Sequence, residues 1–175
     1  MGLIGLFYPW GIILQLQGFQ RLASGTLGYL SASYLLNPRV GTEATIGSRV
    51  GLPGDPTSGT VPYYLSVPDA YSVRTGISYA IVPQWGLSAS LGSRLDGVPV
   101  EDLINGGDAN FRIPGYSIFV DPGIDLSLGA NTFTLNIPVR AYADRRANVY
   151  DRLTNFQGGG NLTKWQLLAG YTHRF

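Results

Sequence analysis

Cysteine is absent from this chain of 175 residues. That excludes a disulfide scaffold and a thiolate metal site. Histidine occurs once, at His173, which leaves too few nitrogen or sulfur ligands for a transition metal. No metal and no cofactor is expected. Charge is scarce too: Asp, Glu, Lys and Arg make up 13% of residues, about half the share of an average soluble domain. The formal net charge of +1 offers no concentrated basic surface, so nucleic acid is not an expected partner. Long apolar runs are missing, and nothing reaches the roughly 18 residues of a spanning helix. The longest candidate, Leu3 to Leu16, is interrupted by Pro9 and Gly11. It lacks a basic start, since the first charge is Arg21, and no small-x-small cleavage site follows closely. It reads as folded structure rather than as a signal peptide, which leaves either a processed chain or one shortened at its N-terminus.

What the chain does have is glycine (24), tyrosine (11) and alternation. Segments of about 10–13 residues alternate apolar and polar side chains with period two, the signature of strands with two unlike faces. The clearest run is Thr132 to Ala143, with Phe133, Leu135, Ile137 and Val139 on one face and Thr132, Thr134, Asn136 and Arg140 on the other. Similar strands are predicted over Thr42–Leu52, Tyr71–Val82, Trp85–Leu95, Tyr116–Leu128 and Lys164–Phe175. Two less regular ones fall near Trp10–Gln17 and Thr26–Leu36. The expectation is one all-β domain over residues 1–175, an antiparallel up-and-down transmembrane barrel with about eight strands in this chain.

The connections support that expectation. Short ones are predicted near Asn37–Gly41, Pro83–Gln84 and Gly129–Asn131, and long ones at Pro53–Ala70, Gly97–Gly115 and Asp144–Thr163. Structureless loops of that length are uncommon in compact soluble domains. Barrels of the bacterial outer membrane have tight periplasmic turns and long outer loops. Sorted this way, the C-terminus is periplasmic. Aromatics fall near both strand ends: Tyr79, Trp85, Phe133, Tyr171 and Phe175 at one, Tyr71, Tyr116 and Trp165 at the other. Tyr and Trp suit membrane interfaces, where a ring meets lipid and a polar tip meets water. Because backbone groups in lipid have no water to bond, a spanning sheet must close. Two arrangements stay open: eight strands closing on themselves, or the last eight strands of a larger barrel. The absent signal and the irregular first strands favour the second.

The run Leu167-Leu-Ala-Gly-Tyr-Thr-His-Arg-Phe175 resembles the terminal strand of outer-membrane barrels. The resemblance implies that Tyr171 and Phe175 belong to the signal read by the barrel-assembly machinery. The stretches Ser66-Val-Pro-Asp-Ala-Tyr71, Gly86-Leu-Ser-Ala-Ser-Leu-Gly92, Asp121-Pro-Gly123 and Asn136-Ile-Pro-Val-Arg140 resemble the C-terminal part of large, poorly characterised transporter- or porin-like outer-membrane proteins. This likeness covers roughly residues 60–175 and implies a fold and a location, the outer membrane of a Gram-negative bacterium. It names no solute.

Alternation puts Glu43, Arg49, Arg74, Arg94, Asp96, Asp121, Asp125 and Arg140 on the lumen side. They form either a charged constriction that selects solutes or an ion-pair network that plugs a narrow barrel. Asp121 and Asp125 share a strand face, but nothing completes a paired-carboxylate catalytic site. His173 is expected to anchor at an interface rather than to catalyse. Asp102, Asp108, Asp144 and Asp151 lie in predicted loops without a calcium-loop spacing, and read as solvated charge. Asn161-Leu-Thr163 matches a glycosylation sequon of no weight in a bacterium. Arg145-Arg146 is too short for a nucleic-acid patch, and Gly158–Gly160 lacks the lysine of a phosphate loop. No catalytic residue is expected. The expected partners are membrane lipid, the assembly machinery and a small solute, with the oligomeric state open. The expected function is a passive pore or transporter component. The alternative is a sealed structural or surface-interaction barrel whose long loops bind a partner.

Overall fold

The computed structural model describes residues 11–38, 41–50, 60–104, 106, 110–154 and 163–175. They form β1 (Ile12–Ala23), β2 (Thr26–Leu36), β3 (Gly41–Val50), β4 (Thr60–Ser66), β5 (Ala70–Val82), β6 (Leu87–Val98), β7 (Gly115–Leu128), β8 (Asn131–Asn136), β9 (Val139–Arg145) and β10 (Leu168–His173). A 3-10 turn at Pro83–Trp85 and one short helix, α1 (Val149–Thr154), complete the list. The expected all-β, antiparallel architecture is what forms.

The main sheet runs in the order β1-β2-β5-β6-β7-β8-β10, with β9 also paired to β7. It curls into a half-barrel. Among the described residues β1 pairs only with β2, and β10 only with β8. Of the two arrangements left open, eight strands closing on themselves is not what forms among the described residues; the sheet stops at an open curl.

Two expected elements differ. The strand predicted at Thr42–Leu52 as part of the barrel wall does not join it: β3 pairs with β4 in a separate two-stranded sheet. β4 itself falls where a loop was predicted, Pro53–Ala70. The Asn37–Gly41 segment is consequently no hairpin turn between wall strands. β2 pairs directly with β5, and β3 and β4, which lie between them in sequence, stand off the main sheet. The physical reason is a pinch at the base of this connection. Asp69 accepts hydrogen bonds from the Asn37 backbone N–H (2.7 Å) and the Tyr34 hydroxyl (2.9 Å). The strand predicted at Thr132–Ala143 is broken into β8 and β9 by Pro138, which has no N–H to give the ladder. The flanking groups find other partners: Ile137 N–H donates to Pro122 O (3.0 Å), and Gln166 N–H to Pro138 O (3.0 Å). The strand predicted at Lys164–Phe175 shortens to β10 with an isolated bridge at Trp165, and the first strand extends to Ala23.

After these corrections the sorting of connections is sharper. Residues 24–25, 83–86 and 129–130 turn tightly at one end, and the longer connections β2–β5, β6–β7 and β9–β10 leave the sheet at the other. Gly86 takes φ 65° to close its turn, and a side chain there would meet the Ser127 carbonyl.

Register fixes the two faces. Leu14, Leu16, Leu30, Ile77, Leu91, Val120, Ile124 and Leu135 fall on the convex face, and each is exposed. The concave face carries Ser72, Arg74, Ser90, Arg94, Ser117, Asp121 and Asn136. Among the described residues only Leu36, Phe119 and Tyr150 are buried hydrophobics, against nine buried polar or charged residues. Soluble domains bury apolar side chains and expose charge. On this sheet the apolar side chains are exposed, while Ser90, Ser117, Asp121 and Asn136 are buried; the other five buried polar residues lie in the connecting segments.

Candidate functional site: a polar concave face under a clasped cap

Cross-strand pairing places Gly76 opposite Gly92 on the concave face. A side chain at Gly92 would strike the Tyr29 hydroxyl and the Thr75 carbonyl, and one at Gly76 would sit 2.5 Å from the Leu91 carbonyl. The two glycines make the gap into which Tyr29 folds. The Arg74 guanidinium lies over the Tyr29 ring, 5.0 Å from its centroid, a cation–π distance. Its Nε reaches Asp121 Oδ2 at 2.6 Å, and Asp121 is fully buried. Gly92→Val is expected to lower unfolding free energy at the upper end of the about 1–3 kcal/mol typical of overpacking, because backbone stands in the way. A denaturant titration would show this as an earlier midpoint.

Beside this group the concave face encloses a cavity of about 460 Å³, lined by Tyr29, Ser72, Ser90, Arg94 and Asp125 among others. Ser72 Oγ donates to Asp96 Oδ1 at 2.6 Å, while Arg94 Nε stands 3.9 Å from the same carboxylate oxygen. Of the lumen charges read from the alternation, Arg74, Arg94, Asp96, Asp121, Asp125 and Arg140 share this face. Glu43 and Arg49 do not join them, since β3 lies in the separate hairpin. Their side chains lie outside the described residues.

The convex face is rimmed. Tyr79, Trp85, Phe133 and Tyr171 stand toward the tight-turn end, and Tyr71, Tyr116 and Trp165 toward the long segments. Phe133 and Tyr171 stack with centroids 5.2 Å apart, and Tyr171 donates its hydroxyl to Asn131 at 2.8 Å. Tyr142, not singled out in the sequence, joins the second row beside Tyr116, at 6.0 Å. Trp85 belongs to the 3-10 turn rather than to a strand. Phe175 meets His173 edge-on, at 4.8 Å. His173 also bonds Asn131 (2.9 Å).

At the long-segment end lies a buried polar clasp that sequence reasoning missed. Arg112 donates to both oxygens of Asp102 (2.9 and 2.8 Å), to Ser66 Oγ (2.8 Å) and to Val100 O (3.2 Å). Asp102 also accepts the Asp69 N–H (2.9 Å), and Asp69 accepts that of Leu103 (2.9 Å). Asn148 Nδ2 donates to Arg112 O at 3.2 Å, tying the third segment to the first two. Asn148 Oδ1 accepts from the Asp151 N–H (2.7 Å), and Asp151 Oδ2 accepts from the Asn148 N–H (3.2 Å). This reciprocal cap starts α1, and the Asn-x-x-Asp spacing was its signal. Asp102 and Asp151, expected as solvated charge, are therefore buried partners. The reason is that each satisfies backbone or guanidinium donors that would otherwise be orphaned.

Asp144 pairs with Arg146 at 2.8 Å. Arg145 turns to the concave side, and its guanidinium has no hydrogen-bond partner among the described residues. Asp108, Gly158–Gly160 and the first two sequon residues, Asn161 and Leu162, lie outside the described residues. Among the described residues no group of three or more His, Asp or Glu could hold a metal ion. The chain matches no known family model, no curated protein and no solved structure.

Proposed function

We propose that this chain forms the wall of an outer-membrane barrel whose polar concave face conducts small solutes, as a pore or transporter component. The carrying observation is the inversion of the sheet: exposed aliphatic side chains on the convex face, with the charges and the buried Ser90, Ser117, Asp121 and Asn136 gathered on the concave one. Contiguous apolar surface on this scale marks a membrane or partner contact. The rim spacing supports a bilayer. Tyr116 and Leu126, the partner of Phe133, lie ten residues apart on β7. That is about 33 Å along a strand. At the usual barrel tilt of about 40° it spans about 25 Å, the height of an outer-membrane apolar band. The reading carries no bond-making chemistry. It places the C-terminus on the periplasmic side, where β10 would be presented to the assembly machinery.

The absence of native cysteine makes a clean test. In lipid vesicles, Ile77→Cys, Leu91→Cys and Ile124→Cys are expected to resist a membrane-impermeant thiol reagent, while Ser90→Cys reacts. Equal labelling of both sets would overturn the membrane reading.

The clasp favours a second reading. It ties described residues of the three long connections together through Asp69, Asp102, Arg112 and Asn148, an arrangement suited to a sealed barrel that binds a partner outside. Conductance in planar bilayers separates the two.

A further inference from the structure

The charges of the concave face divide by what holds them. Arg74 is committed on two sides, to buried Asp121 and to the Tyr29 ring. Among the described residues Arg94 faces one carboxylate, Asp96, at 3.9 Å, and that oxygen already accepts the Ser72 hydroxyl. Neither Arg94 Nε nor Arg74 Nε makes a well-aligned hydrogen bond among the described residues, so what separates the two is ion-pair distance, 3.9 Å against 2.6 Å. Asp125 lines the same cavity, as Arg94 and the ion-paired Arg74 do. No hydrogen bond or ion pair joins it to another described residue. Arg140 and Arg145 lie closer to the long segments and do not line it.

We propose that Arg94 and Asp125 are the two charges that meet a passing solute, and that the Arg74–Asp121 pair is a tether of the wall. This rests on the conduit reading above. A tethered pair presents a short dipole, whereas an unpaired charge in a water-filled passage attracts counter-ions and repels ions of its own sign. The two stand at different depths. Asp125 is opposite Ser88, and Arg94 lies six residues further along β6, about 20 Å. A solute crosses the two in succession.

The test is the reversal potential across a planar bilayer under a salt gradient, with channel conductance reporting that a barrel has formed. Arg94→Gln is expected to shift the cation-to-anion permeability ratio toward cations by about fivefold. That corresponds to about 1 kcal/mol for a unit charge at 4 Å in water. Asp125→Asn is expected to shift the ratio comparably toward anions, and Arg94→Lys to keep the native ratio. The double variant Arg74→Gln/Asp121→Asn, which removes both charges of the tether, is expected to leave the ratio in place while lowering stability. Conductance with unmoved ratios in Arg94→Gln and Asp125→Asn overturns this assignment and leaves the conduit standing. So does an equal shift in the tether variant. No conductance from the native chain overturns the conduit and the assignment together.

Discussion

Leu91→Arg is expected to cost about 2–4 kcal/mol of folding stability in lipid, the penalty for arginine on the outer face of a barrel near mid-bilayer. Leu91 stands on the convex face between Ile77 and Pro122, and is 55% exposed. On a soluble protein, a substitution at so exposed a position changes stability by no more than about 0.5 kcal/mol. The two outcomes differ by at least a factor of four. Urea titration of the chain refolded into vesicles measures the difference. A value near zero means that water, not hydrocarbon, covers the convex face. The cost should shrink toward the rims, so Tyr79→Arg is expected to cost about 0–1 kcal/mol.

Removing Arg112 is expected to release the clasp. In Arg112→Met the Asp102 carboxylate loses a bidentate partner where both side chains are almost fully buried. Breaking a buried pair in this way costs about 3–5 kcal/mol, because the remaining charge stays out of water. Ser66 and the Val100 carbonyl lose their donor as well. The ladders between wall strands do not pass through Arg112, so the loss is local rather than global. Limited proteolysis should then cut residues 99–114 in the variant and spare them in the native chain. Arg112→Lys keeps the charge but not the planar fork, and should fall between. Native-like resistance in Arg112→Met would mean that other contacts hold the segments.

Strand faces were legible because alternation is a local property. Thr26–Leu36 appears with its predicted bounds, and Arg74, Arg94, Asp96, Asp121 and Asp125 share a face because of their parity along β5, β6 and β7. Partners were not legible. The alternation of β3 fits a wall strand as well as a hairpin arm, and the pinch that decides between them joins Asn37 to Asp69, 32 residues away. Likewise nothing local marks Arg74 rather than Arg94 as the partner of Asp121. That follows from register and from the gap over Gly76 and Gly92. The clasp was hidden because Asp69, Asp102 and Arg112 lie in irregular segments, where no periodicity announces burial.

The order of the main sheet has a geometric corollary. Seven strands lie on its path, so six antiparallel pairings separate its margins and β1 and β10 point the same way. Joined directly, they would make one parallel seam in an otherwise antiparallel wall. Two such curls standing side by side with matching polarity would meet at two such seams. A wall that stays antiparallel all round takes an odd number of additional strands, the first of them running against β1.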